Sequence, residues 1–157
     1  PSTIALSRQN LPTVRKKYSS KNLTNYGAYI ISEATLSKKV VLVASGSEVS
    51  IALSAQKKLE NDGIGTRVVS IPCWELFEKQ DTKYQKKVLT SNCLVVGIEA
   101  ASPMGWDKWL HAGWRKNKNN FFVGMNDFGA SAPAGDLYEH FGITEENVIN
   151  KVKEKFN

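Results

Sequence analysis

The chain has 157 residues, the size of one domain, and can bury roughly two-thirds of the surface its unfolded form exposes. Hydrophobic residues make up 41% and charged residues 23%, the balance of a globular protein that needs neither disulfides nor metal to fold. The formal charge of +6 raises nucleic acid as a partner, but Arg15-Lys16-Lys17, Lys38-Lys39, Lys57-Lys58, Lys86-Lys87 and Arg115-Lys116 are scattered, with no aromatic-interleaved basic block, and read as solvated helix ends and loops.

Thr3–Ser7 is short, apolar and β-prone, and reads as the last strand of an upstream unit or as an edge strand. Thr13–Asn25 is polar and reads as a linker. Ala28–Ile31 predicts a short strand and Lys39–Ala44 a fully buried one, since Val40-Val-Leu-Val43 is a continuous apolar run. Ser45-Gly46-Ser47 turns the chain into a helix over Glu48–Asn61, which Asp62-Gly63 ends. Arg67–Ile71 is the next strand, stopped by Pro72. Short helices follow near Trp74–Lys79 and Thr82–Leu89, then a strand over Cys93–Ile98, a helical stretch over Gly105–Ala112 and a strand over Phe121–Met125. Ala132–Phe141 predicts a helix. The last helix starts at Thr144 as N-cap, with Glu145 and Glu146 in its first turn and Val148, Ile149, Val152 and Phe156 on one apolar stripe. Buried strands alternating with helices predict a three-layer α/β/α fold: a mainly parallel sheet of about five strands, the Ala28–Ile31 strand being an antiparallel edge.

Ligands of such sheets sit beyond the carboxyl ends of the strands. There the sequence places Ser45-Gly46-Ser47-Glu48, Pro72-Cys73-Trp74-Glu75, Glu99 with Ser102, and Asn126-Asp127. The backbone N–H groups of Ser45, Gly46 and Ser47 are a possible anion site, although the same residues serve as a plain turn with Ser47 as N-cap. Glu99 and Asp127 form a carboxylate pair or else cap helices. His111 and His140 have no nucleophile beside them and read as structural or exposed. Cys73 and Cys93 lack partners at metal-ligand spacing and read as reduced, cytosolic thiols; no metal site is expected. Trp74, Trp106, Trp109 and Trp114 line either an interface or the core. Arg8, between Ser7 and Gln9 at a strand end, is shaped for bidentate phosphate binding, or is an ordinary surface arginine. No signal peptide or long apolar run is visible, so no membrane partner is expected.

Leu6-Ser-Arg-Gln-Asn-Leu-Pro12, Tyr26-Gly-Ala-Tyr29, Ala44-Ser-Gly-Ser-Glu-Val49, Val68-Val-Ser-Ile-Pro72 with Trp74-Glu-Leu-Phe77, Phe128-Gly-Ala-Ser-Ala-Pro133 and Leu137-Tyr-Glu-His-Phe-Gly-Ile-Thr144 follow one another in an order that resembles the transketolases. The resemblance covers essentially the whole chain, except that His111–Asn120 matches no pattern of the family. It implies that residues 1–25 close an upstream pyrimidine-binding domain and form a linker, and that residues 26–157 are the family's C-terminal α/β domain. The whole protein would then transfer a two-carbon ketol unit between sugar phosphates, as a homodimer, using thiamine diphosphate and a divalent metal (Mg or Ca). Arg8 falls on the arginine that helps hold the sugar phosphate; no cofactor or metal ligand falls within this chain, which is expected to be inactive alone.

A deoxyxylulose-phosphate synthase or an α-keto-acid dehydrogenase β subunit shares the architecture, but Ser7–Pro12 and Phe128–Pro133 favour transketolase. The alternative from another class is a free-standing, non-catalytic α/β module that binds an anionic regulator or partner protein at Ser45–Glu48. A start at Pro1 rather than Met favours a piece of a longer, cytoplasmic protein, an organelle being left open because the parent's N-terminus is not visible.

Overall fold

Val40, Leu42 and Ala44 face one side of strand β2 (Lys38–Ala44), Val41 and Val43 face the other, and all five are buried. A strand apolar on both faces is stable only when both faces are covered. In the computed structural model, which describes residues 3–16 and 18–156, helices α1 (Glu48–Asn61) and α6 (Glu145–Lys153) cover the first face through Ala52, Ala55, Leu59, Val148 and Val152. Helices α2 (Trp74–Glu78), α3 (Thr82–Leu89) and α4 (Asp107–Leu110) cover the second through Phe77, Val88, Leu89 and Trp109.

The remaining strands are β1 (Tyr29–Ser32), β3 (Gly65–Ser70), β4 (Leu94–Ile98) and β5 (Phe121–Val123), and helix α5 (Ala134–His140) precedes α6. The sheet runs β1-β3-β2-β4-β5. Strand β2 is parallel to β3 and β4, and β4 is parallel to β5, while β1 lies antiparallel on β3 at the edge. The three-layer fold and its antiparallel edge are those the apolar pattern predicts. From β2 the chain builds outward to β3, then crosses back to β4 on the other side. The strand order therefore reverses between β2 and β4, and a crevice opens there at the carboxyl ends.

Two glycines are dictated by close approach. Gly27 has φ +76°, and a Cβ there would stand 2.0 Å from the backbone nitrogen of Phe77; this brings the turn before β1 against α2, with the Cys73 N–H donating to the Gly27 carbonyl at 3.1 Å. Gly97 lets the Trp106 ring lie against β4, since a Cβ there would be 2.6 Å from the indole.

Several sequence expectations need correction. Thr3–Ser7 is not an edge strand of this sheet: its residues are exposed and pair with none of the five strands, because local β-propensity gives no strand without a neighbouring edge. Phe156 is exposed, since α6 ends at Lys153 and the apolar stripe stops at Val152. In the Arg15–Lys17 triplet Lys17 lies outside the described residues, as do Pro1, Ser2 and Asn157. Arg115 is not solvated but buried, donating from Nε to the Trp109 carbonyl (2.6 Å) and from Nη1 to the Thr90 carbonyl (3.0 Å) just beyond α3. It thereby satisfies carbonyls that a helix end leaves without partners.

Arg67, also buried, ties three elements together. Its Nη1 donates to the carbonyls of Lys87 (2.7 Å) and Val88 (2.8 Å) in α3. Its Nε and Nη2 fork onto the Glu33 carboxylate beside β1, the Nε bond measuring 2.8 Å. That fork holds the Glu33 carboxyl at about 2, well below its usual range. A carboxylate depressed on folding stabilises above its unfolded pKa and loses that contribution as pH falls through the folded one. Glu33→Gln should therefore lower stability at pH 7 by about 1 kcal/mol, a figure kept small because Glu33 is exposed to solvent. Urea denaturation followed by circular dichroism should show the gap from the parent closing as pH falls from about 4.5 towards about 2.

Candidate functional site

The crevice between β2 and β4 is built by the turn after β2, the loop after β4 and helix α5. Strand β2 ends at Ala44, and Ser45–Ser47 turn the chain into α1 with Gly46 at φ +51°. Ser47 occupies the N-cap position in helical rather than extended conformation, so its hydroxyl does not accept a backbone N–H; instead it donates to Glu48 Oε1 at 2.8 Å. Glu48 is buried. From across the crevice the Tyr138 hydroxyl donates to the same Glu48 oxygen and lies 3.1 Å from Ser47 Oγ, while it accepts from Gln9 Nε2 at 3.4 Å. Burial raises the Tyr138 phenol above its ordinary range, so it remains a hydrogen-bond donor.

Glu99 closes the other side. It is half-buried, and the Trp106 indole N–H donates to its Oε2 at 2.7 Å. Desolvation pushes its carboxyl above the usual carboxylate range, and the nearby Glu48 charge pushes the same way. The other charge that Glu99 feels is thus that of Glu48, and the pairing with Asp127, which the sequence left open beside helix capping, is not formed. Asp127 is exposed and accepts from the Phe128 N–H at 2.7 Å, closing its own turn.

The other residues singled out in the sequence lie elsewhere. Arg8 is exposed. The carbonyls of Ser45 and Gly46 accept from the N–H groups of Glu48 (3.2 Å) and Val49 (3.4 Å), and the Ser47 hydroxyl donates to the Glu48 carboxylate, so the turn at Ser45–Ser47 stands beside a carboxylate. That charge repels an external anion. His111 and His140 are exposed, and Cys73 and Cys93 are free thiols, the second buried. Trp106 and Trp109 belong to the core; Trp74 packs edge-on against Trp106 at 5.3 Å, and Trp114 lies under the Arg115 guanidinium at 4.9 Å. The tryptophan cluster is packing around α4. Among the described residues no group of three or more His, Cys, Asp and Glu stands together as a metal site, and no helix is long and apolar enough to cross a membrane.

Sequence reasoning missed Tyr138 and Glu48 as partners, since they stand 90 positions apart and only the fold brings them together. It also missed Asn120, which is buried and stitches the otherwise patternless His111–Asn120 segment to β4: Oδ1 accepts from the Val95 N–H at 2.7 Å, and Nδ2 donates to the carbonyls of Leu110 (2.6 Å) and Asn117 (2.9 Å).

The fold and its carboxyl-end crevice define an α/β domain of the doubly wound kind whose crevice is filled by its own side chains. Residues 27–144 match the family described as the transketolase-like TK C-terminal domain. The chain belongs to that family. It is 52% identical over 153 residues to a transketolase of Rhodobacter capsulatus, covering 98% of this chain and 23% of that protein. It is 44% identical over 159 residues to transketolase-1, chloroplastic, of Arabidopsis thaliana, covering 99% of this chain and 20% of that protein. Among solved structures it resembles the transketolase from Leishmania mexicana at 44% identity and a TM-score of 0.73, over 83% of this chain and 18% of that one. The chain spans about a fifth of the length of these relatives.

The crevice makes its own prediction. A carboxyl whose pKa rises on folding resists ionisation in the folded state, so the parent chain gains relative stability as pH falls through that raised value. Glu99→Gln keeps an acceptor for the Trp106 indole and removes the repulsion with Glu48. It should leave the fold intact and raise stability at pH 7 by no more than about 1 kcal/mol. Thermal melts at pH 7 and pH 4 should show the gain shrinking on acidification.

Proposed function

We propose that the chain is the C-terminal part of a full-length transketolase, with residues 1–25 closing the upstream pyrimidine-binding domain and forming a linker, and residues 26–157 forming the C-terminal α/β domain. The observation that carries this reading is coverage: 98% of the chain aligns at 52% identity with a transketolase, yet accounts for only 23% of it. The whole enzyme would transfer a two-carbon ketol unit between sugar phosphates as a homodimer, in the cytoplasm or, as the chloroplastic relative suggests, in an organelle.

The chemistry of such an enzyme is supplied by thiamine diphosphate and a divalent metal. This chain's residues are a poor fit for the diphosphate. The crevice where an α/β domain would bind a diphosphate carries two carboxylates, Glu48 and Glu99, which repel it. The contribution of this chain is Arg8, whose fork of donors suits the phosphate of the substrate, on a segment held by the α/β domain.

Blotting of source cells with an antibody raised against the 157-residue chain tests the reading. A single species several times heavier is expected; a band at the size of the chain itself would favour a free-standing module. Isothermal titration of the purified chain with thiamine diphosphate and magnesium should show no metal-dependent binding, and a saturable heat would contradict the assignment.

A further inference from the structure

Arg8 does not stand on a strand of its own, so something else must hold it. The segment that follows is strapped to the α/β domain at successive points. Gln9 Nε2 donates to the Tyr138 hydroxyl at 3.4 Å. Gln9 and Leu11 form one wall of a groove of about 160 Å³ whose opposite wall includes Ile51 of α1 with Ala134 and Tyr138 of α5. Val14 packs against the core beneath α1, and a larger groove of about 740 Å³ runs between Pro12–Lys16 and the flank of α1. Arg8 is the residue immediately before the first of these tethers, one Cα–Cα step of about 3.8 Å from Gln9.

The tether is itself fixed. The Tyr138 hydroxyl that accepts from Gln9 donates to the buried Glu48 at the start of α1, and Ser47 donates to the same carboxylate oxygen. The order Gln9, Tyr138, Glu48 is a continuous run of hydrogen bonds from the strap to the N-terminal end of α1. A phenol committed as donor to a buried carboxylate has little rotational freedom, and its lone pair therefore presents one direction to the strap.

We propose that Tyr138 is a positioning residue: through Gln9 it sets the orientation in which Arg8 meets the substrate phosphate. The inference rests on the phosphate-binding reading of Arg8 given above. Bidentate recognition of a phosphate depends on the aim of the guanidinium plane, so loosening the neighbouring residue weakens it while leaving the rest of the enzyme unaltered. The α/β domain then has a task in substrate binding although none of its own side chains touches the substrate.

The test uses the full-length enzyme carrying Tyr138→Phe, Gln9→Ala, both together, and Arg8→Gln as reference. Each is measured with a phosphorylated sugar acceptor and with a short unphosphorylated aldehyde acceptor. Arg8→Gln should raise KM for the phosphorylated acceptor alone. Tyr138→Phe and Gln9→Ala should each raise that KM by about fivefold, the loss of one ordinary hydrogen bond, with kcat within twofold and the unphosphorylated acceptor unaffected. The double variant should be no worse than either single one, because both break the same contact. Gln9 sits on the strap rather than in the core, so its variant reports on the tether even where Tyr138→Phe perturbs the crevice. If Arg8→Gln raises KM for the phosphorylated acceptor while Tyr138→Phe and Gln9→Ala leave it unchanged, or change both acceptors alike, the positioning role is overturned and the phosphate reading stands. If Arg8→Gln itself leaves both acceptors unchanged, the phosphate reading fails and the positioning role fails with it.

Discussion

Strand β2 is buried on both faces, and much of the structure follows from that constraint. Its alternating set of Val40, Leu42 and Ala44 against Val41 and Val43 needs a helical layer on each side. With β3 paired on one edge and β4 on the other, the chain has to change direction across the sheet. The reversal leaves a crevice at the carboxyl ends, where polar residues must come to rest because the loops leave the sheet there. The buried arginines obey the same logic at the opposite ends of the second helical layer. Arg67 and Arg115 donate to carbonyls at and just beyond the end of α3, which the strand layer covers and water cannot reach freely.

In many doubly wound domains the crevice at the reversal receives a ligand. Here it receives the protein's own side chains: Glu48 bonded by Ser47 and Tyr138, and Glu99 bonded by Trp106. Two carboxylates in one half-buried space lower its affinity for phosphates and instead make it a rigid anchor. The anchor reaches outward through the Tyr138 hydroxyl to Gln9, beside Arg8. On the proposed reading, a domain whose crevice is occupied by its own carboxylates acts on a substrate by holding a neighbouring segment.

The architecture was legible because strands buried on both faces leave continuous apolar runs. Val40–Val43 and Leu94–Val96 announce themselves, and the short, less apolar Tyr29–Ser32 betrays an edge. The N-cap at Thr144 was legible for a local reason, as its hydroxyl accepts from the Asn147 N–H three residues on. What escaped was long-range. Thr3–Ser7 has strand-like residues but no strand beside it, and propensity does not create a partner. Arg115 looked like one half of a surface doublet because nothing in its neighbours reveals the Thr90 carbonyl 25 positions away. Glu99 and Asp127 were read as a carboxylate pair or as helix caps, whereas Glu99 accepts from the Trp106 indole and feels the charge of Glu48 across the crossover. Arg8 was legible only through resemblance; composition and spacing alone leave it an ordinary surface arginine.

The most direct test of the account is a crystal structure of the full-length enzyme with a sugar phosphate bound. The Arg8 guanidinium should lie within hydrogen-bonding distance of the phosphate, with the Gln9 amide resting on the Tyr138 hydroxyl in the same molecule. A phosphate held by other residues with Arg8 turned to solvent, or Arg8 in place on a strap detached from Tyr138, would contradict it.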